Sequence, residues 1–218
     1  MDGNTRAVAF AALAIFLLSA PAQARPVSAV GTTTVEVASE GHEYHAKLQY
    51  TVARALSLGV GYHRLGLDEG TTNFGEAGAG LLLWRRNGAG SQTNIFATLG
   101  YGGALIEGAD GDEVTHGGRW SLVFDAENRH FMGGFGTSGM VLANGALDVG
   151  GLGMVGAAPY VADYDSVQMW LMASASYTPM RPETWSLTPH MRLMYRSALV
   201  EVGATVRGEP YVNLVAEF

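Results

Sequence analysis

A period-two alternation of apolar and polar residues recurs from residue 43 to the last residue and sets what this chain can fold into. The clearest run is Glu43 to Val52. Tyr44, Ala46, Leu48, Tyr50 and Val52 fall on one face of an extended strand. Glu43, His45, Lys47, Gln49 and Thr51 fall on the other. The same grammar returns in Leu56–Tyr62, Ala77–Leu83, Ile95–Tyr101, Trp120–Ala126, Val167–Tyr177, Trp185–Tyr195 and Val200–Val206. It closes in Val212, Leu214, Ala216 and Phe218, again on one face. No comparable run of helical period is present, so the chain reads as all-β.

Alternation alone suits a soluble sandwich or lipocalin-like barrel as well as a membrane barrel. Two features favour the membrane. The apolar faces end in aromatics (Tyr44, Tyr62, Tyr101, Trp120, Tyr177, Trp185 and Tyr195), as interfacial girdles do. The polar faces carry charge at mid-strand, as at Lys47, Asp125 and Arg192, where a barrel turns it into a lumen in which it can be paired. The expected architecture is a transmembrane antiparallel up-and-down β-barrel of about 12 strands, with 10 or 8 as alternatives. An even count places both termini at one end. Val27–Ala38 supplies the first strand, and the Gly-rich stretch His130–Gly156 supplies two more, turning near Ala143-Asn144-Gly145. Ala53–Ala55, Asn87–Gln92 and Arg196–Ala198 read as short turns at the terminal end. Asp68–Asn73, Gly108–Gly118 and Met180–Thr184 read as loops at the opposite end.

Residues 1–24 read as a secretory signal peptide. Arg6 gives the basic start, Ala7–Ala20 the apolar core, and Ala22-Gln23-Ala24 the small-residue cleavage site. The core is short for a relaxed membrane helix of ~20 residues. Residues 25–218 then form one barrel domain. Arg6 and Asp2 cancel, so that part keeps the net charge of −7. Such a balance argues against nucleic acid, which needs clustered Lys and Arg. Zero Cys leaves no disulfide framework.

The signal segment, the alternation and the terminal Phe218 together resemble small Gram-negative outer-membrane β-barrels. The resemblance covers residues 27–218 in architecture and reaches no specific family. It implies a place in the cell outer membrane, contact with membrane lipid and lipopolysaccharide, and Phe218 as the signal read by the barrel-assembly machinery. Small sugar-acid porins of twelve strands are comparable in size but Arg-rich inside, whereas this chain is acidic.

The expected lumen lining is Glu43, His45, Lys47, Glu76, Asp125, Glu127, His190, Arg192, Arg196 and Glu201. It reads either as a satisfied ion-pair network or as a constriction that selects a solute. A narrow channel for small solutes is the first functional reading. A closed structural or adhesion barrel acting through its outer loops is the second, and a lipid-modifying barrel enzyme the third. No catalytic residue is assigned: Ser186 and His190 are too far apart along one strand, which leaves only a cross-strand pair such as Ser174 with His190. No cofactor or metal is assigned. Gly134-x-Gly136-x-x-Gly139 and Gly151-x-Gly153-x-x-Gly156 match the spacing of dinucleotide loops, but no helical period follows either. Asp110, Asp112 and Glu113 lack the spacing of the twelve-residue calcium loop. The histidines show no sequence-local metal geometry; His45, His63 and His190 would have to be bundled across strands to meet in the lumen.

Overall fold

The computed structural model describes residues 28–67, 70–108, 111–163, 165–179 and 184–218. The proposed signal peptide, Val27, Asp68, Asp110 and most of Met180–Thr184 lie outside them. Twelve strands follow one another: β1 (Thr33–Glu40), β2 (Glu43–Ala53), β3 (Leu56–Leu67), β4 (Gly70–Gly88), β5 (Ser91–Gly108), β6 (Gly111–Asn128), β7 (Phe131–Leu142), β8 (Leu147–Ala157), β9 (Gln168–Tyr177), β10 (Trp185–Tyr195), β11 (Ala198–Ala204) and β12 (Pro210–Glu217). Each pairs antiparallel with its chain neighbours, and β1 pairs with β12, so the sheet closes into a barrel with no free edge. Among the described residues there is no helix.

The register puts the predicted apolar faces outside. Leu48, Val60, Leu99, Phe135, Val155, Leu171 and Trp185 are all exposed, and so is the terminal Phe218. Water would not tolerate so continuous an apolar exterior, and a bilayer requires one. Aromatic pairs stand on the rim: Tyr44 with Tyr62 at 6.2 Å and Tyr177 with Trp185 at 4.9 Å between ring centroids. The seam is completed at the carboxy-terminal residue, where Phe218 N donates to Thr33 O at 2.9 Å and Thr33 N donates to Phe218 O at 3.0 Å.

Three strands depart from the expected lengths. β4, β5 and β6 have 19, 18 and 18 residues. At ~3.4 Å per residue and a tilt of ~40°, each stands roughly 45 Å tall, beyond the ~25 Å apolar band of such barrels. The segment Gly108–Gly118, expected as a loop, is therefore mostly strand: β5 and β6 stay in register up to Gly108 opposite Gly111. A backbone ladder needs no side-chain alternation, which is why Gly-rich sequence concealed it. Asp112 and Glu113 consequently sit side by side on β6, where neighbours point to opposite faces. The β3–β4 loop is likewise shorter than Asp68–Asn73, because β4 begins at Gly70. The first strand starts later than expected, at Thr33.

The inside is packed rather than hollow. Twelve strands fall between eight, whose interior side chains fill, and the sixteen to eighteen of wide porins. Phe74 and Phe96 point inward and are 0% and 1% exposed. Toward the end opposite the termini, Leu65, Phe74, Ala104, Met140 and Leu142 form an inward apolar cluster with Ile106 against it. Toward the terminal end, Ala158, Trp170 and Met172 form a second, with Met132 and Met194 packed on it. Ser28 tucks into that end and donates to Glu217, which is wholly buried on the inner face.

Candidate functional site

Between the two apolar clusters lies a belt of charge. It is built from inward positions of β1–β6 and β10–β12, and it divides into two linked constellations.

The first centres on Glu76 of β4. Its Oε1 lies 3.0 Å from His63 Nε2 and 3.7 Å from Arg119 Nη1, and Arg119 in turn reaches His63 at 3.3 Å. These residues come from β3, β4 and β6, so the contacts must cross β5. They do so over Gly100. A Cβ there would lie 2.0 Å from Glu76 Oε2, and one on Gly61 would lie 3.2 Å from Oε1. Glycine at these two positions is a socket for the Glu76 carboxylate. Beside it, Lys47 stands opposite Glu36 in register, and His45 Nε2 lies 3.3 Å from Glu36 Oε1. The rings of His45 and His63 are 5.8 Å apart.

The second centres on Glu201 of β11. Arg192 Nε donates to its Oε1 at 2.6 Å. Tyr211 OH and Asn213 Nδ2 donate to Oε2 at 2.6 and 2.8 Å. His190 Nε2 stands 3.7 Å from Oε1. The side chain of Glu201 is only 3% exposed, so its charge needs this saturation of donors. Again a glycine makes the room. Gly203 lies between His190 and Tyr211 in register, their rings meet at 4.9 Å, and a Cβ on Gly203 would fall 2.5 Å from His190 Cβ.

The two constellations are joined along β1. Glu36 lies between β2 and β12, and Glu40 of the same strand accepts hydrogen bonds from Ser186 Oγ, at 3.0 Å, and from Thr188 on β10. Exposure varies around the belt. Side chains of His63, Glu76 and Glu201 are nearly closed off, whereas those of Glu36, His45 and Arg119 are about a third open. The belt is therefore least closed beside β1, β2 and β6.

Nine of the ten expected lining residues stand on strands, and their positions differ. His45, Lys47, Glu76, His190, Arg192 and Glu201 belong to the belt. Asp125 is inward near the terminal end, where Asn94 links it to Arg85 at 2.6 and 2.7 Å. Glu127 is inward on the last turn of the same strand, opposite Gln92 and Met132. Glu43 is inward at the other end, opposite Glu40. Arg196 is a correction. It occupies the β10–β11 turn with φ of +52°, and its exposed guanidinium pairs with Asp165 at 3.1 Å. The alternation that carried it inward stops one residue earlier, at Tyr195. Arg207 sits in the turn after β11.

Other members of the site are hard to read from sequence. Arg119 precedes the run beginning at Trp120, but it lies two residues before inward Ser121 and continues that face. Glu36, Glu40, Tyr211 and Asn213 flank the closing seam, which no local pattern announces. Among the described residues no three His, Asp or Glu side chains gather as a metal site. Ser174 does not meet His190: both donate to the Thr188 carbonyl, at 3.5 and 2.9 Å.

A groove of about 700 Å³ lies outside the lumen, on the outer wall of β8–β11 among Val155, Leu171, Pro189, Met191 and Val202.

No protein-family model matches the chain, and no curated protein matches it. Among solved structures it is similar to a chain described as KdgM porin and to one described as KdgM porin in complex with disordered oligogalacturonate. Each is 12% identical, with 86% of this chain and 98% of that chain covered and a TM-score of 0.46. At that identity nothing about solute or lining passes to this chain. On its own geometry, the chain is a closed twelve-stranded antiparallel barrel with the apolar outer wall that a bilayer requires.

Proposed function

We propose that this barrel is an outer-membrane channel of narrow bore that passes small solutes and prefers cations. The observation that carries the reading is the charged belt inside a closed barrel with an apolar wall. In that belt the carboxylates of Glu36, Glu40, Glu76 and Glu201 face the cations Lys47, Arg119 and Arg192. Acid outweighs base, so a cation passing through meets a favourable field. The side chains leave only a narrow way, which suits ions and small polar molecules over polymers. The reading assigns no catalytic step to the belt, because among the described residues its histidines His45, His63 and His190 face the carboxylates of Glu36, Glu76 and Glu201.

In this reading the termini face the periplasm, Phe218 is what the assembly machinery recognises, and the opposite turns contact lipopolysaccharide. Residues 1–24 act as the export signal. One observation favours a second reading, a closed structural barrel: the cluster of Leu65, Phe74, Ala104, Met140 and Leu142 fills part of the lumen at the end opposite the termini. The reversal potential across a KCl gradient decides for the channel. A cation preference that falls in Glu36→Gln supports the proposal. An anion preference in the unaltered protein would overturn the charge reading.

A further inference from the structure

All eight methionines after Met1 fall between residues 132 and 194. In the strands this concentration becomes a lining. Met132 and Met140 of β7, Met154 of β8, Met172 of β9 and Met194 of β10 all take inward register positions, while Met169 and Met191 face out. Met180 lies outside the described residues.

Three of the five converge near the terminal end. Met132 and Met194 pack on the cluster that contains Met172 and Trp170. Met132 and Met172 both lean over Gly156: a Cβ there would lie 2.1 Å from Met172 Sδ and 3.2 Å from Met132 Cγ. Met154 follows on the neighbouring strand, and Met140 lies near the opposite end, so thioethers run along the β7–β10 arc from one mouth toward the other. This arc of β7–β9 carries little charge, with Asp148 its inward carboxylate.

We propose that Met132, Met172 and Met194 form a thioether site for a soft monovalent cation, Cu(I) or Ag(I), at the terminal mouth of the lumen. Thioether sulfur is neutral, polarisable and soft, and among biological cations it favours these over Zn(II), Mg(II) or Ca(II). Gap filling by itself would not require methionine. The cluster at the other end fills the same kind of space chiefly with Leu, Phe and Ala. The nearest fixed cation is Arg192, whose Nη1 contacts Met132 Sδ at 3.2 Å. Its charge is offset by Glu201, 2.6 Å from Nε, and the sulfur keeps a second lone pair. The excess of carboxylate in the adjoining belt lowers the cost of bringing a cation in.

The test is isothermal titration of the folded protein in detergent micelles with Ag(I) in chloride-free buffer, with Trp170 fluorescence followed in parallel. Met132→Leu/Met172→Leu/Met194→Leu, nearly conserving volume, is expected to weaken binding roughly tenfold or more, as loss of soft ligands does. Met169→Leu/Met191→Leu, on the outer face, is expected to leave it unchanged. Should the triple variant fail to fold, Met172→Leu alone is read the same way. Equal affinity in the inward and outward variants, or no Ag(I) binding, would overturn the proposal, as would Zn(II) binding as tightly as Ag(I). Binding is read without conduction, so failure of the channel reading is a separate result.

Discussion

Removing the Glu201 carboxylate should damage the barrel more than removing it together with Arg192. Glu201 accepts from Arg192, Tyr211 and Asn213 within 2.8 Å, and its side chain is 3% exposed. In Glu201→Leu the Arg192 guanidinium, 17% exposed, loses its counter-charge inside the wall. Stranding one half of a buried pair costs about 3–5 kcal/mol, since the remaining charge keeps its desolvation penalty. In Arg192→Met/Glu201→Leu both charges are gone, and apolar side chains of similar volume occupy their places. Tyr211 OH and Asn213 Nδ2 remain without their acceptor, which holds back part of the recovery at about 1–3 kcal/mol for an orphaned polar group. The expected coupling energy is roughly 2–3 kcal/mol in favour of the double variant. The assay is urea unfolding from lipid vesicles, followed by tryptophan fluorescence, on the four proteins of the cycle. A coupling energy below about 0.5 kcal/mol, within the usual error of additivity, would refute the claim that Glu201 is held as a desolvated counter-ion.

Two further outcomes follow from register and seam. Leu171→Arg places a charge on the exposed outer face of β9 and should cost ~2–4 kcal/mol near the bilayer midplane, while Ser174→Arg, on the inner face, should cost much less; equal costs in vesicle unfolding would contradict the register. Deleting Phe218 removes both backbone bonds to Thr33 and should lower the amount of folded protein in the membrane fraction, with normal levels counting against its role in assembly.

Strand number and facing are legible because both follow from one local quantity, the two-residue period. Leu171 and Ser174 take opposite faces by parity alone, whatever lies around them. The charged belt is only half legible. Lys47 and Arg192 announce themselves at mid-strand, but their partners depend on which strands become neighbours and on where glycine leaves room. Gly100 illustrates the difficulty. In sequence it is one Gly among 30. In the barrel it is the gap through which Glu76 reaches Arg119, two strands away. Gly203 does the same for His190 and Tyr211. Two of the misreadings come from ends: Arg196 continues the parity of β10 past the turn, and Gly108–Gly118 hides a backbone ladder under weak side-chain contrast. Seam partners such as Glu36 and Tyr211 are separated by nearly the whole chain and meet only because the barrel closes.

In the channel reading, a narrow way runs past Glu36, His45, Lys47 and Arg119 through an otherwise packed barrel. Single-channel recording of the refolded protein in a planar bilayer tests it most directly. The account predicts small, discrete conductance steps that shrink when Gly100→Leu pushes a side chain into the belt. A silent bilayer, with the protein shown to be folded by its heat-modifiable migration, would contradict it and leave a closed barrel in its place.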